Sequence, residues 1–203
     1  MSVPAEDAAW VTAEIPLPAD VVRDCVADVE RFLRLNPFLL IESFERLPPD
    51  AGGTVRYRLA AHNEMNGVRA ERLITLDALE ARHGFTLNYD FGLKRSTRVR
   101  VLETSDGASL EIREDYAPAA NGPVNTREID RSLTPWAASI RGYLLRRERW
   151  GWVPGYRAWS GGFWLRMTPR ERRITRLMIW VAALEFGVFL FVFAIFWNEL
   201  QRG

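Results

Sequence analysis

Glu114 is the residue whose position most strongly indicates chemistry in this chain. Residues 109–117 alternate like a β-strand, and the alternation places Glu114 on the same face as Ile112 and Tyr116. A carboxylate on an apolar face needs a partner or takes up a proton, because uncompensated burial of a charge is costly. Such a group can bind a ligand hydroxyl or act as a general acid or base. It can equally pair with Arg72, which has an inward position in another strand, and we favour this structural pair.

Residue spacing gives no support for metal, phosphate or triad chemistry. His62 and His83 are the only histidines and Cys25 is the only cysteine. They form no HxxxH, CxxC or HExxH pattern, and the sequence has neither a phosphate-binding glycine loop nor a recognisable Ser/His/Asp set. We therefore predict no metal and no cofactor. A single cysteine excludes an internal disulfide and fits a reducing compartment.

Seven segments of strand character supply the elements that must position these residues. They are residues 10–17, 39–47, 54–63, 68–79, 85–91, 96–104 and 109–117. Turn signals such as Asn66-Gly67 and Asp106-Gly107 separate them, so neighbouring strands should pair antiparallel. Alternation within the strands gives one polar face and one aromatic face. We expect a single antiparallel sheet with one buried side.

Two short helices are predicted after the first strand and one longer helix after the last. Asp20 is the expected cap of the first, over residues 21–29, and the second covers residues 30–35. Thr134-Pro135 has the character of a helix start, with threonine as N-cap and proline in the first position. This helix should run to about Arg149, with one apolar face.

The order of these elements resembles the START-like, or SRPBCC, superfamily with its helix-grip fold. The stretch IPLPADVVRDCVADVERFLRLNP at 15–37 is similar to the opening of that superfamily, and DRSLTPWAASIRGYLL at 130–145 is similar to its closing helix. The resemblance covers roughly residues 10–150 and implies an α+β helix-grip fold. That fold has a seven-stranded antiparallel sheet wrapped around a long C-terminal helix, with two short helices after the first strand. Fold resemblance of this kind does not determine activity.

The resemblance implies an internal cavity for lipids, sterols, quinones, polyketides or other hydrophobic molecules. Elementary packing agrees, since large aromatic residues on a concave sheet face closed by one helix leave a mostly apolar pocket. Plain core packing is the alternative for any single lining residue. The residues expected to line the cavity are Phe44, Tyr57, Leu59, Phe85, Leu87, Tyr89, Val99, Ile112, Glu114, Tyr116, Trp136, Ile140 and Tyr143.

Residues 177–197, LMIWVAALEFGVFLFVFAIFW, form a long apolar run in which Glu185 is the only charge. As a helix this run is roughly 31 Å long, which matches the hydrocarbon core of a bilayer. We predict a single transmembrane helix here, with a buried core helix as the alternative. Glu185 would lie about 12 Å deep, where ionisable groups usually face another helix. Ala183 and Gly187 would allow a partner or second copy to approach, and a lone tolerated acid is the other interpretation.

Charge is distributed unevenly along the chain. The segment from Arg141 to Arg176 contains ten arginines and two glutamates, which gives a net charge of +8. Since the whole chain carries +1 and the residues after Arg176 carry −1, residues 1–140 carry −6. Arginines just before a span are retained on the cytoplasmic side, and the opening MSVPAEDAAW lacks the features of a signal peptide. We predict a single-pass membrane protein with a C-terminal anchor and a cytoplasmic N-terminal domain.

Residues 151–176 interleave aromatic and basic side chains, with glycines and prolines that argue against one continuous helix. This composition is typical of a segment that lies among anionic headgroups. A flexible neck that only sets topology is the alternative. The predicted domains are residues 1–9, a tail; 10–150, the ligand-binding domain; 151–176, the neck; 177–197, the span; and 198–203, a short tail. The expected interface residues are Trp152, Arg157, Trp159, Trp164, Arg166, Arg170, Arg172, Arg173 and Arg176.

These features together predict membrane-anchored binding, transfer or presentation of a hydrophobic ligand such as a lipid, a sterol-like molecule or a quinone. We expect a binding protein ahead of an enzyme. The alternatives are an aromatase/cyclase-type enzyme that uses Glu114, and an accessory subunit of a membrane complex that binds through the span. Nucleic acid is not an expected partner, because a solvated strand face explains Lys94, Arg95, Arg98 and Arg100.

Overall fold

A computed structural model of the chain describes residues 8–49, 53–65, 67, 69–78, 83–92, 94–116 and 126–202. The described residues form two compact units. The first ends at Arg166 and the second begins at Met167.

All seven predicted strands are present and form one antiparallel sheet. The sheet order is β1-β7-β6-β5-β4-β3-β2, so the first strand pairs with the last and the others follow one another as a meander. Alternation of apolar and polar residues explains the single buried face. The strands are β1 (Ala8–Ile15), β2 (Leu39–Leu47), β3 (Val55–Asn63), β4 (Arg69–Ala78), β5 (Gly84–Tyr89), β6 (Lys94–Thr104) and β7 (Gly107–Tyr116).

The turn between β6 and β7 requires glycine. Gly107 has a φ of 144°, and a Cβ atom there would lie 2.4 Å from the carbonyl oxygen of Ile15. No other residue type accommodates both the backbone conformation and this close approach. The Asp106-Gly107 signal therefore ends β6 and also lets the tip of the hairpin pack against the end of β1.

Two short helices follow β1, as predicted. They are α1 (Ala19–Ala27) and α2 (Val29–Arg34). Asp28 caps α2, because its Oδ1 accepts a hydrogen bond of 3.0 Å from the backbone N–H of Arg31. The prediction that Asp20 caps α1 is wrong: Pro18 is the N-cap residue and Asp20 lies in the first turn. A carboxylate in the first turn still interacts favourably with the helix dipole.

The long helix α3 (Thr126–Trp150) begins earlier than predicted. Pro135 lies inside it rather than at its first position, so the predicted start at Thr134-Pro135 is wrong. An interior proline costs about 3 kcal/mol, which the propensity of the local sequence does not offset. Tertiary burial offsets it, since Leu133 and Trp136 on either side of the proline are 1% exposed or less.

The helices cover one face of the sheet, which we call the inner face. The indole Nε1 of Trp136 on α3 donates a hydrogen bond of 3.0 Å to the carbonyl oxygen of Phe32 on α2. The Phe32 ring lies 4.5 Å from the Trp136 ring and 5.6 Å from the Phe85 ring of β5, centroid to centroid. Arg141 ties α3 to β1 by a hydrogen bond of 3.0 Å to the carbonyl oxygen of Glu14. This arrangement is the predicted helix-grip architecture.

The first unit continues beyond the predicted domain end at residue 150. Two helical turns, α4 (Tyr156–Ala158) and α5 (Trp164–Arg166), flank a π-helical turn at Trp159–Phe163. Leu165 and Ser160 are buried, α5 packs against α2, and α4 packs against α3. Much of the segment interpreted as a neck is thus integrated into the first unit.

The second unit consists mainly of α6 (Pro169–Arg202). A capping box begins this helix: the hydroxyl of Thr168 accepts from the N–H of Glu171 at 3.2 Å, and the Glu171 carboxylate accepts from the N–H of Thr168 at 2.7 Å. Within α6, Arg170–Asn198 is long and apolar enough to cross a membrane, and none of its most apolar stretch is buried in the described structure. The predicted span, 177–197, lies inside this segment.

Candidate functional site

Polar side chains from four adjacent strands converge on the inner face of the sheet. Register shows why: Arg72 lies opposite the buried Leu59, and Glu114 lies opposite the buried Thr97. Residues directly opposite in an antiparallel pair share a face. We call the group the polar cluster; its members are Arg72 of β4, Tyr89 of β5, Lys94 and Thr97 of β6, and Glu114 and Tyr116 of β7.

Glu114 lies at the centre of the polar cluster and is 4% exposed. Its carboxylate accepts hydrogen bonds from the ammonium of Lys94 and from the hydroxyl of Tyr116. The prediction that Glu114 faces inward is therefore confirmed. The prediction that Arg72 is its partner is wrong, because Lys94 takes that place.

A β-bulge brings Lys94 to the inner face. The register of β6 against β7 shifts between Lys94 and Ser96, so Arg95 is an extra residue in the strand. The shift reverses the alternation, and Lys94 points to the same side as Thr97. The prediction of a solvated Lys94 is wrong, since its side chain is only 20% exposed. A bulge leaves no mark in the alternation of the sequence, which explains why Lys94 was missed as a site residue. Thr97 lies beyond the bulge, and alternation with Val99 and Val101 was the signal that could have placed it on the inner face.

Tyr89 connects the cations of the polar cluster. Its hydroxyl lies 3.1 Å from the Thr97 hydroxyl. The ammonium of Lys94 lies 5.2 Å from the centroid of the Tyr89 ring, and the guanidinium carbon of Arg72 lies 5.7 Å from it. Both distances are within the range of cation–π attraction. Lys94 is also 5.6 Å from the ring centroid of Trp136, so the cluster faces α3.

Burial and the Glu114 carboxylate set the protonation states of the cluster. Burial, the largest influence on Lys94, lowers the pKa of its ammonium, but the attraction of Glu114 and Tyr89 outweighs it and the pKa is raised. Burial, followed by the charge of Glu114, raises the pKa of the Tyr116 hydroxyl far above its ordinary value. At neutral pH, Lys94 is therefore a cation and Tyr116 a neutral hydrogen-bond donor.

The other predicted cavity residues also lie on the inner face or on α3. Several of them are fully buried, and the rings of Phe44 and Tyr57 stack with centroids 5.0 Å apart at the β2–β3 side of the sheet. Their role as ligand contacts stays a prediction. The members that are 4% exposed or less, beside Glu114, are Leu59, Leu87, Val99, Ile112, Trp136, Ile140 and Tyr143.

A surface concavity of about 500 Å³ lies elsewhere on the first unit. It opens where the end of β1 and the start of α1 meet the β6–β7 turn, and its lining includes Asp20, Arg23, Glu103 and Asp106. None of the predicted ligand residues belongs to this lining. The concavity is therefore separate from the polar cluster.

The segment between α3 and α6 exposes large aromatic side chains. Trp152 is 76% exposed and Phe163 is 60% exposed, whereas Trp164 packs against Trp159 with ring centroids 5.1 Å apart. Arg157 and Arg166 are exposed in the same segment. Of the predicted interface residues on α6, Arg170, Arg173 and Arg176 are exposed and Arg172 is half-buried. Their contact with lipid stays a prediction.

Glu185 is exposed on α6. A helix turns about 100° per residue, so Glu185 lies on the opposite side of α6 from Ala183 and Gly187. A single two-helix contact cannot use both the carboxylate and the small-residue pair. The two features, considered together in the sequence, therefore imply separate surfaces.

Comparison with solved structures agrees with this architecture. No protein-family model matches the chain, and no curated protein matches it. A START superfamily protein from Mycobacterium smegmatis superposes with a TM-score of 0.55 at 15% identity, covering 68% of this chain and 97% of that one. The chain has the START-like, or SRPBCC, fold.

Two further structures superpose on the START-like fold of this chain. The Zhui aromatase/cyclase from Streptomyces sp. R1128 gives a TM-score of 0.53 at 18% identity, covering 71% of this chain and 97% of its own. A protein from Thermus thermophilus gives 0.52 at 17% identity, covering 68% and 97%. Identities this low establish the fold alone. The predicted fold class, and the predicted resemblance to START-like proteins at the level of the fold, are confirmed.

Proposed function

We propose that the START-like unit binds a hydrophobic ligand on the inner face of its sheet and that α6 anchors the chain in a membrane. The polar cluster is the observation that carries this proposal. Hydrophobic-ligand sites combine a mostly apolar lining with a few convergent polar groups that fix orientation. Six polar side chains from four strands, next to the buried aromatic ring of Trp136, fit that description.

Binding would be non-covalent. The apolar and aromatic residues of the inner face would remove the body of the ligand from water, at about 25 cal/mol per Å² of apolar surface. The polar cluster would receive the polar end of the ligand. Glu114 is already held by Lys94 and Tyr116, so it would orient these donors rather than compete with the ligand.

Several features support anchoring at the cytoplasmic face. They are the apolar segment Arg170–Asn198, the +8 charge of the preceding region, and the exposed Trp152 and Phe163. A tether raises the effective concentration of the binding unit near the lipid from which a ligand would come. Capture then becomes local rather than dependent on diffusion through the cytosol.

Unbiased identification of bound molecules tests the proposal. The full chain is purified from native membranes in mild detergent, extracted with organic solvent and analysed by mass spectrometry. The matched control is residues 167–203 purified in the same way, which retains the candidate span and its surrounding lipid but lacks the START-like unit. We expect one class of hydrophobic molecule to be enriched in the full chain. Identical spectra from the two samples would contradict ligand binding.

A second candidate function is an aromatase/cyclase-type reaction on a hydrophobic substrate. The contact of Glu114 with an ammonium and a phenol favours it, because a buried carboxylate with two proton donors can serve acid–base chemistry. It predicts that Glu114→Gln abolishes turnover of a linear polyketide while substrate binding remains nearly intact. Binding without any turnover in the unaltered chain would exclude this second candidate.

A further inference from the structure

The polar cluster contains more positive than negative charge. Arg72 and Lys94 are cations, and Glu114 is the carboxylate that belongs to the cluster. Glu114 is occupied by Lys94 and Tyr116. Among the residues that the structure describes, Arg72 forms no ion pair, and its guanidinium carbon lies 5.7 Å from the centroid of the Tyr89 ring. The cluster therefore carries a net charge of about +1 at neutral pH.

Two neighbouring carboxylates that the structure describes are directed elsewhere. Asp115 lies on the outer face, where it accepts hydrogen bonds from Ser96 and Arg113, both at 2.9 Å. Asp90 accepts a hydrogen bond of 3.0 Å from the backbone N–H of Phe91. Neither side chain neutralises Arg72.

The position of Arg72 is set by its surroundings. Its side chain is half-buried on the inner face, opposite the buried Leu59. Gly92 approaches it closely, since a Cβ atom at Gly92 would lie 3.2 Å from a terminal guanidinium nitrogen. A half-buried cation without a carboxylate is costly, whereas a guanidinium that faces an anion can form two parallel hydrogen bonds. Carboxylate and phosphate are the groups whose oxygen atoms match the two parallel N–H donors of a guanidinium.

We propose that Arg72 is an anion-binding residue and that the ligand is an amphiphile with an anionic head group, a carboxylate or phosphate, on a hydrocarbon body. The inference rests on the proposed function and narrows its ligand class. Tyr89 holds the guanidinium by its ring, and Lys94 adds positive potential while it remains paired with Glu114. A neutral sterol-like molecule or quinone would leave Arg72 without a carboxylate or phosphate partner among the groups that the structure describes.

Three photoreactive probes test the head-group preference. Each has the same twelve-carbon chain with one diazirine, and they end in a carboxylate, a phosphate monoester or a hydroxyl. The full chain in phosphatidylcholine nanodiscs is labelled at pH 7.5, and the labelled residues are located by peptide mass spectrometry. We expect at least one anionic probe to label β4–β7 about tenfold more than the alcohol does. The alcohol lacks the charge-assisted hydrogen bond to Arg72, and loss of such a bond corresponds to a change of about this size. The carboxylate and phosphate probes distinguish a fatty-acid-like head group from a lipid phosphate.

Variants then assign the preference to one residue. Arg72→Gln should reduce labelling by the anionic probe to the level of the alcohol and leave labelling by the alcohol unchanged. The matched control is Arg58→Gln, which removes a cation on the outer face, where Arg58 pairs with Glu45 at 3.2 Å. This control should retain the full head-group preference. Arg72→Lys should retain part of the head-group preference, because lysine keeps the positive charge but lacks the two parallel donors of a guanidinium.

The outcomes separate the two proposals. Equal labelling of β4–β7 by the alcohol and both anionic probes would overturn the anionic ligand class and leave hydrophobic binding supported. An anionic preference that Arg72→Gln does not change would overturn the role of Arg72. Absence of labelling in β4–β7 by all three probes would overturn the proposed function itself. The comparison of probes uses the unaltered chain, so it decides the ligand class even where a variant fails to fold.

Discussion

Lys94 and Glu114 form an ion pair between β6 and β7 although they are not opposite each other in register. Glu114 lies opposite Thr97, and Lys94 lies opposite Tyr116. The bulge at Arg95 turns the lysine inward so that it reaches the carboxylate. The Glu114 side chain is 5% exposed and that of Lys94 is 20% exposed. The pair is therefore a buried one, and loss of either partner has consequences that a surface pair would not show.

Lys94→Met should destabilise the START-like unit by about 3 kcal/mol, because it leaves the Glu114 carboxylate buried without its cation. Lys94→Met combined with Glu114→Gln should recover much of this loss, since no uncompensated charge remains. The measurement is a double-mutant cycle by urea unfolding of the full chain in nanodiscs, followed by tryptophan fluorescence. Arg58→Met is the control: its partners Glu45 and Glu71 are both exposed, so we expect a change below about 1 kcal/mol. If the changes in the free energy of unfolding of the two single variants add up to that of the double variant, a buried pair is contradicted.

Stability should fall in alkaline solution through the same cluster. Folding raises the pKa of Lys94 above 10.5 and that of Tyr116 above 10.0, so both groups stay protonated to a higher pH than in the unfolded chain. As pH rises above about 10, the unfolded state binds fewer protons than the folded state, and the free energy of unfolding decreases. The stabilisation that protonated Lys94 and Tyr116 provide is complete below about pH 10, and it is lost as the pH rises towards the pKa values of these groups in the folded state.

Tyr116→Phe isolates one part of this alkaline effect. Each group contributes at most about 1.4 kcal/mol per pH unit, so the variant should flatten the decline by about 1 kcal/mol per unit between about pH 10.5 and 12. The measurement uses Cys25→Ala as the common background, because burial also raises the pKa of the Cys25 thiol above 9.0. An identical slope with and without Tyr116 would show that the phenol is not held in its neutral form.

The exposed aromatic residues after α3 should bind membranes. A protein truncated after Met167 should float with vesicles that contain anionic lipid, and the bound fraction should fall as salt rises, because arginines near the surface contribute about 1 kcal/mol each. Changing both Trp152 and Phe163 to Ser should weaken binding at least tenfold, since a large side chain contributes about 2 kcal/mol on burial.

Trp10→Ser provides the matched control for this vesicle experiment. Trp10 is 65% exposed but lies on β1, so loss of its ring removes a comparable apolar surface at a different place. We expect binding of this variant to equal that of the unaltered truncated protein. Equal weakening by all three substitutions would indicate nonspecific adsorption and exclude an interfacial segment.

Association through α6 should depend on Glu185 rather than on Gly187. An acidic side chain at the centre of a span costs about 2.5–3.5 kcal/mol unless it finds a polar partner. Glu185→Leu should therefore lower the associated fraction of the full chain in mild detergent. Gly187→Leu alters the opposite side of the helix and serves as the control. Unchanged association in Glu185→Leu would eliminate the partner hypothesis for this residue.

Much of the fold could be predicted from the sequence because its signals are local. Alternation predicted all seven strands, the Asp106-Gly107 dipeptide predicted the hairpin between β6 and β7, and hydropathy predicted an apolar helix around residues 177–197. The inward position of Glu114 followed from the same alternation. These patterns depend on residues close together in the chain, and the structure preserves them.

Contacts between distant residues decided the rest. The sequence predicted that Lys94 belongs to a solvated strand face, but a bulge in β6 against β7 directs it towards Glu114, 20 residues away in the chain. The Thr134-Pro135 pair predicted a helix start, but α3 continues through Pro135 because it packs against α2 and the sheet. Composition and local pattern alone thus determined the strands, the apolar helix and the charge asymmetry. Only tertiary structure decided which cation meets Glu114 and left Arg72 without a carboxylate among the described residues, because a bulge is a property of two paired strands and not of either sequence.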